Sequence, residues 1–388
     1  MTTEQPGPHN AITDVPGVLV GQVERLDPPY LTGTTVVYLP STAVAGVDVR
    51  GGAPGTRETD LLDPVNSNPG ANAIVLTGGS AYGLEAASGV MAWLEEQGQG
   101  VRVGPGERDV VPIVPAAVIF DLGRGGGFQA RPDHGWGRSA IEAASNGPVA
   151  EGNHGAGAGA RAGDLKGGVG TASIRLPDGT TVGALVIVNA VGSAVDPQGR
   201  LLGSPYGLAE EFADLRTPTE PPPNLPDHAT PAAPAPPPPE GPGTPPPGEP
   251  TPPSPGGLGE PALPPGRAEQ AAPVMNTVIA VVATDVPLDK AAAKRMAMVA
   301  HDGLARAIDP VHTLLDGDAI FAVSTGQPPR LSVTDPAALS RLETVFAAGA
   351  RTLARAIVRG MLAAETVETP AGKLISYRDA YPSAVRPE

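Results

Sequence analysis

The run Asn276-Thr277-Val278-Ile279-Ala280-Val281-Val282-Ala283-Thr284 decides how this chain is read. It follows a proline-choked spacer and turns abruptly apolar, the pattern of a β-strand. Two readings of Thr277 stay open locally. It is the first residue of a strand, or it is a new N-terminus released by cleavage after Asn276. In the second case one residue carries nucleophile and base together, its Oγ and its freed α-amino group. An α-amine titrates at roughly 7.7–8, so a useful fraction is neutral near pH 7.

Upstream, residues 217–265 hold 22 of the chain's 48 prolines, in runs such as Pro236-Pro237-Pro238-Pro239. Such a stretch cannot bury enough apolar surface to offset its ordering entropy, so it is expected to be extended and disordered. It is either a tolerated surface insertion or a docking strip for proline-recognising partners. Downstream, the strand over 277–284 leads to Asp285-Val286-Pro287, a helix start, and a helix to about Ala307 with Leu288, Ala292, Met296 and Val299 on one face. Asp316-Gly317-Asp318 turns into a strand at Ala319–Ser324. A long helix carrying Leu342, Val345, Phe346, Leu353, Ile357 and Met361 follows.

The part before the spacer alternates short strands and turns. Strands are expected at 17–23, 34–39, 73–76 and 116–120, with a helix at 83–97. A hairpin joins 171–176 to 182–188 through Pro177-Asp178-Gly179. Strands and helices without strict βαβ alternation favour α+β layers over a doubly wound sheet.

Composition narrows the function. The chain has 388 residues, 40% of them hydrophobic but only 3% aromatic, so the core is built from Ala, Val, Leu and Ile. A formal charge of −15 argues against nucleic acid or anionic membranes as partners. With no cysteine there is no disulfide, thiolate metal site or cysteine nucleophile. No secretory signal and no apolar stretch of the ~18 residues a membrane helix needs are visible, so a cytoplasmic protein is expected.

Three sets of residues compete for chemistry. Gly78-Gly79-Ser80-Ala81-Tyr82-Gly83 sits where a serine nucleophile elbow would, but Tyr82 replaces the required glycine. A tight turn lining a pocket is the other reading. Gly155–Gly170 holds Lys166, yet Gly167 follows it, which excludes a phosphate-binding P-loop. The six histidines show no paired metal-ligand spacing; His312 near Asp316 and Asp318 leaves a His/Asp metal site conceivable, beside the plainer reading of structural histidines.

In order along the chain, AITDVPGVLVG, AGVDVRGGAPGTRETDLLDP from Ala45, LTGGSAYGLEAASGV from Leu76 and GAGAGARAGDLKGGVGTAS from Gly155 form a specific series. VNAVG from Val188, MNTVIAVVATD from Met275 and HTLLDGDAIFAVST from His312 complete it. The set resembles the DmpA-type aminopeptidases, which include β-peptidyl aminopeptidases, D-aminopeptidases and nylon-oligomer hydrolases. The resemblance covers nearly the whole chain outside the proline-rich insertion.

That resemblance implies an N-terminal-nucleophile hydrolase with a four-layer αββα sandwich and the Thr277 strand in mid-sheet. It implies self-cleavage between Asn276 and Thr277 into an α chain, 1–276, and a β chain, 277–388. The α chain divides into a folded part, 1–216, the insertion, 217–265, and a pre-cleavage segment, 266–276. Thr277 becomes the nucleophile, as in the nylon-hydrolase branch. The catalytic lysine falls on Lys166, the oxyanion asparagine on Asn189, and the two carboxylates that orient the threonine on Asp316 and Asp318. The substrate is a small peptide or amide, with no cofactor and no metal, and the assembly a homo-oligomer, a tetramer of αβ units.

The chain departs from the family in one motif: where V-I-Y-D is common, it has Val118-Ile119-Phe120-Asp121, so Phe120 brings no hydroxyl to the pocket it would share with Ser80 and Tyr82. Competing readings are a linear amide-oligomer endo-hydrolase, a Ser80 hydrolase without self-cleavage, a self-processing pseudoenzyme, and a scaffold that recruits partners through its proline strip.

Overall fold

The computed structural model describes residues 4–68, 70–221 and 275–385. The expected disorder of 217–265 therefore falls almost entirely outside the described residues. Eight strands and four helices position the site. The strands are β1 (Leu19–Arg25), β2 (Thr32–Val49), β3 (Ala71–Thr77), β4 (Ala116–Val118), β5 (Val169–Arg175), β6 (Thr181–Ile187), β7 (Ile279–Thr284) and β8 (Ala319–Ser324). The helices are α1 (Ala86–Glu96), α2 (His134–Glu142), α3 (Lys290–Ala307) and α4 (Leu339–Ala363).

Strands β5, β6, β7, β8 and the second half of β2 lie side by side. Only the β7–β8 pair is parallel. The first half of β2 instead pairs with β1 and β3, and β3 with β4. The change of partners occurs where the register shifts between Tyr38 and Ala43, across the exposed Pro40-Ser41-Thr42. Proline cannot donate to a ladder, so the strand bends there and passes from one sheet to the next.

Period-two alternation along the strands builds four layers. Ile279, Val281, Ala283, Leu185, Phe321 and Val323 pack against Val37, Leu39, Ile74 and Leu76, which fills the space between the sheets. Ala280, Val282, Ala184, Val186 and Ile320 point the other way, onto Met296 and Leu304 of α3 and Leu353 and Ile357 of α4. On the far side Val36, Val75 and Ala116 pack against Val90 and Leu94 of α1 and Ile141 of α2. Every residue of β7 is buried, and each buried valine or isoleucine contributes about 1.5–3 kcal/mol. The architecture is the expected αββα sandwich, with β7 in mid-sheet between β6 and β8.

Three local expectations are corrected. The helix after β7 begins four residues later than its proline suggested: Asp289 is the N-cap, accepting from Ala292 N at 2.7 Å. Asp285 instead ties β6, accepting from Thr181 N at 3.0 Å. The expected strand at 34–39 is only the start of β2. Helix α2 went unanticipated because Gly135 and Gly137 lower its helical propensity. Gly137 is there for packing: a Cβ on it would stand 1.8 Å from Ala86 O at the contact with α1.

A similar close approach sets α4 on β5. A Cβ on Gly170 would lie 1.9 Å from Ala356 O and 2.7 Å from Gly360 N, so helix and strand meet backbone to backbone. Gly170→Ala should therefore destabilise the protein by about 1–3 kcal/mol through overpacking. Urea unfolding checks this, and an unchanged midpoint would show that the helix can move outward at no cost.

Candidate active site

Register places the site. Because β6 runs antiparallel to β7 and β8 parallel to it, the residues after β6, before β7 and before β8 meet at one sheet edge. These are Asn189, Thr277 and Asp318. The ladder continues past the strands: Thr277 N donates to Asn189 O at 2.6 Å, and Ala319 N donates to Val278 O at 3.1 Å. Lys166 reaches the same end from the segment that leads into β5.

Thr277 and Asn276 are both buried. The Thr277 hydroxyl donates to the carbonyl oxygen of Asn276, the residue immediately before it. The same Oγ1 accepts from Gly317 N at 3.2 Å. A Cβ on Gly317 would stand 2.9 Å from that oxygen and 2.6 Å from Ala53 O, so the loop can come this close only as glycine.

The carboxylates of Asp316 and Asp318, expected to orient Thr277, make no hydrogen bond to its side chain among the described residues. They pin the loop around it. Asp318 Oδ1 accepts from Val278 N at 2.8 Å, and its Oδ2 pairs with His312 Nδ1 at 2.7 Å. Asp316 accepts from Val191 N at 3.0 Å and from the Thr313 hydroxyl at 2.6 Å. Burial, helped by the neighbouring Asp318, pushes the Asp316 carboxyl upward. His312 thus acts as a hydrogen-bond partner. Among the described residues no group of three His, Cys, Asp or Glu side chains is disposed to hold a metal.

Arg124 organises the other side, and no sequence motif singled it out. Its Nη1 donates to Gly159 O and to Asn189 Oδ1, each at 2.6 Å, and its Nη2 donates to Asn276 Oδ1 at 2.6 Å. Asn189 Oδ1 also accepts from Arg161 N at 3.1 Å. With its oxygen end held this way, the Asn189 amide has one orientation, and its Nδ2 is a buried donor without a partner among the described residues. The only signal for Arg124 was its place in Gly123-Arg124-Gly125-Gly126-Gly127, a few residues after β4.

Lys166 is fully buried, and its Nζ donates to Gly167 O at 2.7 Å and Gly157 O at 3.0 Å. Burial first, then repulsion from Arg124, lowers its pKa from 10.5 to about 7. Burial and Arg161 likewise lower Arg124 to about 9. Asp121, the nearby anion, accepts from Gly79 N at 2.7 Å, and burial pushes its carboxyl upward.

A cavity of about 310 Å³ opens beside Thr277, lined among others by Pro54, Ser80, Phe120, Met275 and Asn276. That volume is at the small end of ligand pockets. Phe120 and Ser80, expected to share a pocket, both line this cavity. Tyr82 does not: it is half-exposed, outside this lining, under the Arg131 guanidinium at 3.7 Å. Ser80 has a left-handed backbone (φ 51°), but its hydroxyl has no base or other hydrogen-bond partner among the described residues.

Comparison with known proteins places the chain. The model of Peptidase family S58 matches residues 10–375. An uncharacterized aminopeptidase of Mycobacterium tuberculosis H37Rv is 46% identical over 97% of this chain and 99% of its own length. A 6-aminohexanoate-oligomer endohydrolase of Kocuria sp. KY2 is 32% identical over 81% and 74%. Among solved structures, a Burkholderia sp. beta-aminopeptidase superposes with a TM-score of 0.65 at 24% identity, covering 100% of this chain and 98% of its own. The L-aminopeptidase D-Ala-esterase/amidase of Ochrobactrum anthropi, a variant of the Ntn-hydrolase fold, gives 0.64 at 23% over 98% and 93%. Those two likenesses show the fold.

The depressed Lys166 pKa has a measurable sign. Between pH 7 and the ordinary lysine value of 10.5, the unfolded chain binds a proton at this position that the folded protein does not. The stability of wild type should therefore rise relative to Lys166→Met across that window, and the advantage should be lost as pH falls toward 7. Urea titrations at stepped pH test it; a constant difference would mean that Lys166 is charged throughout.

Proposed function

The chain belongs to peptidase family S58 and is a peptide hydrolase, and we propose that it is a self-processing one in which Thr277 is the nucleophile. The observation that supports this is the placement of Thr277 Oγ1 against the carbonyl of its own preceding residue, next to the unpartnered amide donor of Asn189. A strand-initiating threonine has no need of either arrangement.

In the precursor, Oγ attacks the carbonyl carbon of Asn276. The Oγ–C bond forms, the C–N bond breaks, and the hydroxyl proton passes to the Thr277 nitrogen, leaving an ester. Water hydrolyses that ester to the Asn276 carboxylate, restores the hydroxyl and leaves a free Thr277 amine. The products are an α chain, 1–276, and a β chain, 277–388. In later turnovers the same Oγ attacks a substrate amide, while the α-amine takes the proton and returns it to the leaving amine.

The oxyanion of each tetrahedral intermediate would take the hydrogen bond that Asn189 Nδ2 has to offer. Such donors act strongly because they are already oriented in a site that excludes water. The Arg124 guanidinium, still charged near neutral pH, would hold the pKa of the freed amine down by like-charge repulsion, keeping it a base. Asp316 and Asp318 act through the loop they brace, which presents the Gly317 N–H to the nucleophile.

The substrates are small amino-acyl amides and short peptides, in keeping with the small cavity. Linear amide oligomers are a second reading, favoured by the likeness to a 6-aminohexanoate-oligomer endohydrolase.

Wild type should run as two bands on a denaturing gel and Thr277→Ala as one of full length. A wild-type chain of unbroken mass that hydrolyses amides would refute the mechanism. Asn189→Ala should lower kcat by roughly 10²–10³-fold, the value of one oxyanion donor, with the fold retained by circular dichroism.

A further inference from the structure

Asn276 is held as a ligand would be. Its side chain is buried, and both ends of its carboxamide are paired across the site. The oxygen accepts from Arg124 Nη2 at 2.6 Å, and the nitrogen donates to Ala190 O at 2.6 Å. Its main-chain N–H points to Leu315 O at 3.3 Å. None of these three partners forms or breaks a bond in the proposed steps, and Asn276 itself lines the cavity beside Thr277.

We propose that Arg124, Ala190 O and Leu315 O form the acyl-side subsite of the processed enzyme, built for an N-terminal residue with a side-chain carboxamide, so that asparaginyl amides are its preferred substrate class. This rests on the N-terminal-nucleophile reading, under which Asn276 is the acyl donor of the first, intramolecular turnover. The uncleaved chain then displays its own substrate in place.

When Asn276 leaves, the subsite stays formed. Arg124 remains anchored through Nη1 to Gly159 O and Asn189 Oδ1, and Ala190 follows directly on Asn189 at the end of β6. The vacated space then presents one donor, Arg124 Nη2, and one acceptor, Ala190 O. A carboxamide supplies an acceptor and a donor and satisfies both. A carboxylate would satisfy Arg124 but set an oxygen lone pair against the Ala190 carbonyl. An aliphatic side chain would leave both groups buried and unpaired. Leu315 O lies where it can accept from the α-ammonium of an N-terminal residue. Through the same guanidinium, occupancy of the subsite and orientation of the Asn189 amide are physically joined.

The test uses processed wild-type enzyme and the p-nitroanilides of asparagine, aspartate, leucine and alanine. The kcat/KM for asparagine should exceed that for aspartate and leucine by ~10²-fold or more, since a site built for hydrogen bonds rejects analogues that leave its groups unpaired. Arg124→Lys should shrink the asparagine-to-alanine ratio to a few-fold, because a point charge cannot replace the guanidinium fork. In the uncleaved chain, Asn276→Leu and Asn276→Asp should slow self-cleavage ~10-fold or more on the same argument. A processed enzyme that hydrolyses leucyl or alanyl anilide as fast as the asparaginyl one overturns the subsite, whatever the behaviour of the Asn276 variants, and leaves the nucleophile assignment standing. A Thr277→Ala protein that still splits or still hydrolyses overturns both.

Discussion

One constraint underlies the rest: β7 is hydrogen-bonded antiparallel to β6 on one side and parallel to β8 on the other. That mixed pairing brings the exit of β6 and the entries of β7 and β8 to a single edge. The Thr277 N to Asn189 O bond extends the ladder one step beyond the regular strands, so the backbone of Thr277 is placed by the sheet itself. A site on strand ends is more rigid than one on loops, and the fully buried faces of β7 make the register costly to shift. Slipping by one residue would turn Ile279, Val281 and Ala283 toward the helices and Thr277 away from its neighbours.

Electrostatics at this edge run against the character of the chain. The protein as a whole is strongly acidic, yet Arg124, Arg161 and Lys166 gather near the Asn276–Thr277 peptide with Asp121 as the nearby anion. Buried cations persist only where oriented acceptors replace water. For Arg124 and Lys166 those acceptors are the Asn189 and Asn276 side-chain oxygens and the backbone carbonyls of Gly157, Gly159 and Gly167, the last three supplied by a glycine-dense segment that folds close enough to present them. The glycines matter as access for backbone: a Cβ on Gly157 would stand 2.3 Å from Val169 N. The lowered Lys166 pKa and the fixed Asn189 amide both follow from this arrangement.

Much of this was legible in the order of residues. The run from Thr277, the turn at Asp316-Gly317-Asp318 and the stripe from Leu342 to Met361 are strong local patterns, and strand, turn and helix appear where those patterns put them. The ordered motifs also named Thr277, Lys166, Asn189, Asp316 and Asp318, which the fold gathers at or around one end of the sheet. Elements that depend on contacts with distant residues were not legible. The second half of β2 carries Gly46 because a Cβ there would lie 2.4 Å from Lys294 N in α3, and α2 carries Gly137 for its contact with α1. In both cases a distant packing partner overrides local propensity. Arg124 escaped notice because an arginine among glycines carries no spacing signal; its importance lies in three acceptors contributed by segments far apart in sequence.

The sequence by itself determined which residues are apolar with which period, where the chain must turn, and which family's motifs it carries in order. From these come the strands and helices, the layered α+β class and the set of residues available for chemistry. The tertiary structure alone decided what those residues touch. It set Gly317 N–H, and not the two aspartates beside it, against the Thr277 hydroxyl, and it left Asn189 Nδ2 free by occupying the oxygen end of that amide. It also placed the carboxamide of Asn276 between Arg124 and Ala190. Local sequence sets propensity through the backbone and nearest neighbours, whereas hydrogen-bond partnership requires atoms from distant segments to arrive within about 3 Å of each other, which only the folded packing can arrange.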